Sequence, residues 1–71
     1  MKVIKEHNGT KVGDRIEVID APKDPTIKPG MTGTISQIQQ GYGEIQYWVD
    51  FDSGSRLALL DGIDTFKIIK Q

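Results

Sequence analysis

Three groups of residues in the sequence could carry chemistry: a single histidine, carboxylates around Gly54, and two aspartates around Gly62. His7 could act as a general base, but the chain has no second histidine and no cysteine to complete a triad or a zinc site. Asp61 and Asp64 could form an acid–base pair, which requires a cleft that raises the pKa of one carboxyl. A surface turn provides no such burial. We therefore expect turn residues here, and a solvent-exposed histidine near the N-terminus.

The segment from Asp50 to Gly54 has the alternating aspartates of a calcium-binding loop. In the EF-hand pattern the glycine stands at the sixth position and a bidentate glutamate at the twelfth. Here the glycine comes one position early, and the twelfth position of the same count is Asp61. We expect instead a hairpin turn capped by Asp52, in which Gly54 supplies a positive φ. The sequence thus predicts no catalytic residue, no metal and no cofactor, and a protein that is not an enzyme.

Aromatic residues and their neighbours are the best candidates for a binding surface. Trp48 lies on the opposite face of its predicted strand from Tyr47 and Val49. If Tyr47 faces the core, Trp48 is either an exposed residue of the kind enriched at binding hot spots or a cover over one end of the domain. The predicted binding residues are Trp48, Tyr42 at a hairpin tip, Ile27 and Met31 in a proline-rich loop, and the charged residues Asp50 and Arg56.

Length and charge limit the possible architectures and partners. Seventy-one residues allow one domain with a small core, and the absence of cysteine excludes a disulfide framework. The net charge is −1, and basic and acidic residues alternate without a stripe that could neutralise several phosphates. The N-terminus lacks the apolar stretch of a signal peptide, and no apolar run approaches the ~20 residues of a membrane span. We expect a cytoplasmic protein that does not contact membranes.

Short strands separated by turns are the elements that would position the candidate residues. Alternation of apolar and polar side chains indicates strands over 14–19, 32–39, 44–51, 56–60 and 65–69. The pattern predicts an all-β, small SH3-like five-stranded barrel over residues 12–70, preceded by a lead-in or short strand over residues 1–11. The expected core consists of Val12, Ile16, Val18, Ile35, Ile45, Val49, Phe51, Leu57, Leu59, Phe66 and Ile68.

Two features interrupt the strand pattern. Residues 20–31 contain all three prolines, which have no N–H group for a β-ladder, so this segment is predicted to be a surface loop. Structureless loops of this length are uncommon in small domains and favour a functional role. Ile35 and Ile38 are three residues apart, which breaks strict alternation and predicts a β-bulge near Ser36 and Gln37.

The combination of several motifs resembles one protein family. The motifs are Gly13-Asp14-Arg15-Ile16, Ala21-Pro22-Lys23-Asp24-Pro25, the Pro29–Ile35 segment, the Val49–Leu59 segment and Asp64-Thr65-Phe66. They are similar to a domain family of unknown function, made of small SH3-like proteins from Gram-positive bacteria, their phages and conjugative elements. The similarity spans 12–69. The family usually has tryptophan in a Trp-Asp-x-Gly turn, where this chain has Phe51. The resemblance implies the fold and a phage or mobile-element setting, and it implies no activity.

The sequence therefore favours a non-enzymatic binding module with a protein partner, either an adaptor or an inhibitor of a host protein. Two alternatives stay open. One is a nucleic-acid-binding barrel, because segment 30–35 resembles the first turn of KOW-type barrels, with basic candidates Lys2, Lys5, Lys11, Arg15 and Arg56. The other is a phage-encoded inhibitor of a bacterial defence system. The protein would be a monomer, or a homodimer formed through an exposed edge strand.

Overall fold

The computed structural model describes residues 2–69, which form an all-β domain without a helix, as the sequence predicts. Within these residues the strands are β1 (Lys2–Ile4), β2 (Glu6–His7), β3 (Thr10–Lys11), β4 (Arg15–Asp20), β5 (Thr32–Gln40), β6 (Ile45–Phe51), β7 (Arg56–Leu60) and β8 (Thr65–Ile68). The predicted lead-in (residues 1–11) begins at residue 1 and the predicted barrel (residues 12–70) ends at residue 70, and both of these end residues lie outside the described residues. Among residues 2–69, no helix is long and apolar enough to cross a membrane.

Most strands belong to one antiparallel sheet in the order β7-β6-β5-β4-β8, and β1 also pairs with β5. β2 and β3 form a separate hairpin. Within the described part of the chain no pairing joins β7 to β8, so the sheet is not closed into a barrel. The two ends of the sheet are therefore open edges.

The central strand β5 has two different partners on one edge. It pairs with β4 through Thr32–Thr34 and with β1 through Ile38–Gln40, while β6 pairs with the other edge. Between the two partners, the register with β6 shifts after Ile35, which confirms the predicted bulge near Ser36 and Gln37. The β2–β3 hairpin leaves the sheet beside this bulge, and its base is closed by a 3.0 Å hydrogen bond from the Val12 amide to the Lys5 carbonyl.

The core lies on the sheet face that carries Ile45, Tyr47, Val49 and Phe51, all of which are buried. This alternation along β6 was predicted. Two predicted core residues are wrong: Val12 and Ile68 are each 43% exposed. Val12 follows the β2–β3 hairpin outside any strand, and Ile68 lies on β8 at an open edge of the sheet, where one side remains uncovered.

The core also contains residues that were not among the predicted core residues, and some predicted core residues are only partly covered. Leu57 and Phe66 are only partly buried against the core. The residues added to the predicted core are Ala21, Ile27, Ile38 and Tyr47.

The proline-bearing loop between β4 and β5 is hydrogen-bonded to β4, and one of its side chains is buried in the core. The Val18 amide donates to the Met31 carbonyl, and the Gly30 amide donates to the Val18 carbonyl, both at 2.8 Å. The Asp24 carboxylate accepts hydrogen bonds from the hydroxyl and amide of Thr26 at 2.6 and 3.0 Å, which lower the pKa of Asp24. This turn directs Ile27 into the core, where it is 2% exposed.

Candidate functional site

The sheet face opposite the core gathers Trp48 and its cross-strand neighbours. Directly paired residues on neighbouring strands point to the same face of a sheet. Trp48 pairs with Gln37 on β5 and Ala58 on β7, and its Nε1 donates to Gln39 Oε1 at 3.3 Å. We call this the outer face. Its central residues are Val3, Gln37, Gln39, Gln46, Trp48, Asp50, Arg56 and Ala58.

An open groove of about 670 Å³ lies beside the β5 bulge. Val3 and Val12 are 61% and 43% exposed, so the groove presents apolar side chains to solvent. Apolar side chains gathered in one concave surface mark interaction sites more often than scattered ones do. We call it the outer groove, and it is lined by Val3, Ile4, Lys5, Glu6, Lys11, Val12, Ser36, Gln37 and Arg56.

The outer groove is cationic. Lys5, Lys11 and Arg56 line it together with one carboxylate, Glu6. Arg56 Nε lies 2.6 Å from Asp50 Oδ1, and this hydrogen bond raises the pKa of Arg56 and lowers that of Asp50. By contrast, neither lysine forms a salt bridge with any residue between 2 and 69. Lys11 stands directly opposite Glu6 across the β2–β3 hairpin, so Lys5 carries the more available charge, whereas the arginine charge is already paired.

Another part of the structure holds a fixed ion pair, which we call the latch and define by Arg15, Thr32 and Asp52. Arg15 donates two hydrogen bonds of 2.7 Å to the Asp52 carboxylate, and Thr32 Oγ1 donates a third of 2.6 Å. These bonds hold the pKa of Asp52 well below its usual range. The latch fastens the β6–β7 turn to β4 and β5.

The latch corrects the predicted role of Asp52, because its carboxylate binds side chains on other strands instead of capping its own turn. The turn is closed by a 2.9 Å hydrogen bond from the Gly54 amide to the Phe51 carbonyl. Gly54 has a φ of 100°, which confirms its predicted positive φ. Within residues 2–69 no group of three or more metal-ligating side chains is arranged to hold a metal ion.

His7 packs against the domain and is not the solvent-exposed residue that the sequence predicted. Its Nε2 lies 3.6 Å from Asp61 Oδ2, and its ring centroid lies 6.3 Å from that of Tyr47. Burial, with a smaller effect of the Asp61 charge, raises the pKa of Tyr47 to about 12. The Tyr47 hydroxyl therefore stays protonated at neutral pH, and the contact anchors the β2–β3 hairpin. The Leu60 amide donates to Asp64 Oδ2 at 2.8 Å, so Asp64 is a turn residue, as predicted.

The predicted binding residues do not form one surface. Trp48, Asp50 and Arg56 share the outer face, with Trp48 half-buried. Tyr42 is fully exposed at the tip of the β5–β6 hairpin, beside Lys2, Gln40 and Gly41 and outside the lining of the outer groove. In the loop, Ile27 belongs to the core and Met31 packs against it half-buried, so the prediction of Ile27 as an exposed binding residue is wrong.

Sequence reasoning named Arg56 as a binding residue and Lys5 and Lys11 as candidates for nucleic-acid binding, but it missed Val3 and Val12 and the groove that these residues share. Val12 was assigned to the core, and Val3 lies in a segment too short to show alternation. Lys5 and Lys11 are far enough apart in sequence to look unrelated, and the β2–β3 hairpin brings them to one groove. The Asn8-Gly9 dipeptide, which is typical of a tight hairpin, was the available signal for this element.

Comparisons of the chain with protein-family models, with curated proteins and with solved structures gave no match.

Proposed function

We propose that this protein is a non-enzymatic binding module that binds a protein partner through the outer groove and the adjoining part of the outer face around Trp48. The observation that carries the proposal is the exposure of Val3 and Val12 in a groove beside Trp48, which pairs with the groove residue Gln37. A half-buried tryptophan beside exposed apolar side chains offers the mixed apolar and hydrogen-bonding contacts that are enriched at protein interfaces.

A protein partner is better supported than nucleic acid. Of the five basic residues considered for phosphate binding, Arg15 and Arg56 are paired with Asp52 and Asp50. Glu6 adds a negative charge to the groove itself. A surface that binds phosphates gains affinity by releasing counterions from several unneutralised cations, and here the outer groove offers only Lys5 and Lys11.

We also infer that the sheet is an SH3-like five-stranded barrel left open at one seam. Five strands, β4–β8, lie between residues 12 and 69, and the first of them pairs with the last. That pairing supports a sheet that curls back on itself. The family resemblance supports a cytoplasmic adaptor or inhibitor of a host protein in a phage or conjugative element, and the open sheet edges allow a homodimer as well as a monomer.

Affinity capture with a groove variant tests the proposal. The tagged protein and a Val3→Ser/Val12→Ser variant are incubated with nuclease-treated lysate of a Gram-positive bacterium, and the retained proteins are quantified. We expect one protein near stoichiometry with the wild type, and at least about tenfold less with the variant, because apolar contacts are lost. Val3 and Val12 are exposed, so the variant should keep its stability within about 0.5 kcal/mol.

A Tyr42→Ser variant is the matched control, since it removes an exposed side chain outside the groove. We expect it to retain the partner as well as the wild type does. Equal capture by the groove variant would contradict the proposed surface. Capture that occurs only when nuclease is omitted would contradict a protein partner and assign the interaction to nucleic acid.

A further inference from the structure

We propose that the outer groove binds an acidic segment of the partner protein, whose carboxylates pair with Lys5 and Lys11 and whose apolar side chains contact Val3 and Val12. This inference rests on the proposed function and specifies the chemistry of the partner.

The first argument for an acidic ligand is the charge of the groove. Three cationic side chains and one carboxylate line the outer groove, although the whole chain has a net charge of −1. Lys5 and Lys11 form no salt bridge among residues 2–69, and Lys11 stands opposite Glu6, so a bound carboxylate adds an ion pair at Lys5 without breaking one and competes with Glu6 for Lys11. Complementary charge at an interface selects among partners and fixes their register. The groove thus selects an acidic ligand.

The strand that forms one wall of the groove carries the second step. Val3, Ile4 and Lys5 are consecutive, and all three line the groove. Lys5 follows the end of β1, and Ser36 and Gln37 of β5 and Arg56 of β7 also line the groove, so the groove lies over the outer face on the β5 side of β1. A peptide segment that crosses this face can contact Val3 with an apolar side chain and reach Lys5 with a carboxylate.

The third argument is the apolar lining of the groove, which favours a peptide over a nucleic acid as the ligand. Single-stranded nucleic acids bind to grooves that combine cations with aromatic side chains on which bases stack. The outer groove offers the aliphatic side chains of Val3, Ile4 and Val12, with Glu6 among its charges. Aliphatic side chains of a peptide match this surface, because burying them removes apolar area from water on both partners.

Selection from a phage-displayed random-peptide library tests the inference. The baits are the wild type, the groove variant Lys5→Glu/Lys11→Glu, and the control variant Lys23→Glu/Lys28→Glu. The control makes the same change in net charge on exposed lysines of the β4–β5 loop. The affinity of each selected peptide is then measured from the fluorescence of Trp48, which is the only tryptophan in the chain.

We expect the wild type and the control to select the same peptides, with aspartate or glutamate flanking apolar residues. The groove variant should bind them at least about tenfold more weakly, which corresponds to about 1.4 kcal/mol. The affinity of the wild type should fall as salt is added, because the lysine–carboxylate pairs are screened.

Four results would overturn the inference. Three of them are the absence of an enriched peptide, enriched peptides without acidic residues, and equal binding to both double variants. Tighter binding of a single-stranded oligothymidylate than of the selected peptides, lost in the groove variant, would overturn it in favour of nucleic acid. If lysate capture still recovers a groove-dependent protein, only the acidic-segment inference fails. If no groove-dependent protein is recovered either, the proposed function fails with it.

Discussion

The β4–β5 loop and the outer groove both combine apolar with charged side chains, but they use them in opposite ways. In the loop, Ile27 is 2% exposed and the Asp24 carboxylate is bonded to its own turn. In the groove, Val3 is 61% exposed, and Lys5 has no ion-pair partner within residues 2–69. In the loop the isoleucine is buried and the aspartate is hydrogen-bonded, whereas in the groove the valine is exposed and the lysine forms no salt bridge.

This difference indicates which region stabilises the fold and which binds a partner. Removing an apolar side chain from the loop should cost stability, because it leaves a cavity in the core. Removing one from the groove should cost affinity and leave the stability unchanged, since the side chain is already in water.

The largest effect should follow Ile27→Ala. The substitution removes buried methyl groups and should lower the free energy of unfolding by about 3 kcal/mol. Denaturant unfolding measures it, with Ile63→Ala as the control. Ile63 is 39% exposed, so its truncation should cost less than about 1 kcal/mol. Equal losses for the two variants would show that Ile27 does not fill the core.

The next effect should follow Trp48→Ala, measured as the affinity for a captured partner protein. If Trp48 is a hot spot of the outer face, its truncation should weaken binding by about 2 kcal/mol, or roughly 30-fold. Tyr42→Ala, at the hairpin tip outside the groove, should leave the affinity unchanged. A larger loss for Tyr42→Ala than for Trp48→Ala would move the binding surface to the β5–β6 hairpin.

Unlike the lysines of the groove, the latch contains a fixed ion pair, and its contribution to the stability of the protein should depend on pH. The pKa of Asp52 is lowered in the folded protein by its bonds to Arg15 and Thr32, from about 3.9 in an unfolded chain. Its contribution to stability is therefore complete above about pH 5 and is lost as the pH falls through the unfolded value towards the folded one. Asp52→Asn should be less stable than the wild type at neutral pH, and the two should converge on acidification.

Thermal unfolding across the acidic range measures this convergence. Asp20→Asn is the control, because Asp20 is exposed and forms no salt bridge within residues 2–69. A difference between Asp52→Asn and the wild type that stays constant with pH would contradict the role of the latch.

The smallest effect should follow Glu6→Gln, which removes the carboxylate from the outer groove. Because an exposed charge pair contributes about 0.2–1 kcal/mol, acidic peptides should bind up to about fivefold more tightly. Glu44→Gln, outside the groove, should leave the affinity unchanged, as measured by tryptophan fluorescence. Weaker binding of acidic peptides to Glu6→Gln would mean that Glu6 contacts the ligand directly.

The pattern of apolar residues along single strands predicted the features that depend on one strand alone, namely the buried face of β6 and the bulge in β5. The alternation of β6 gave the buried face from Ile45 to Phe51, and the irregular spacing of Ile35 and Ile38 gave the bulge. The position of Ile27 depends on the Asp24 turn and on contacts with distant strands, and a proline-rich sequence does not encode them visibly. The outer groove is lined by four separate segments of the chain, 3–6, 11–12, 36–37 and Arg56, so no local pattern could reveal it.

The most direct test of the outer groove as the binding surface is a nuclear magnetic resonance titration of the labelled protein with its captured partner or a selected acidic peptide. We predict that the largest shift changes fall on the backbone amides of Val3, Lys5, Lys11, Val12 and Gln37 and on the indole N–H of Trp48. The amides of loop residues 22–30 should remain unchanged. Changes confined to that loop, or to the hairpin tip around Tyr42, would contradict the account.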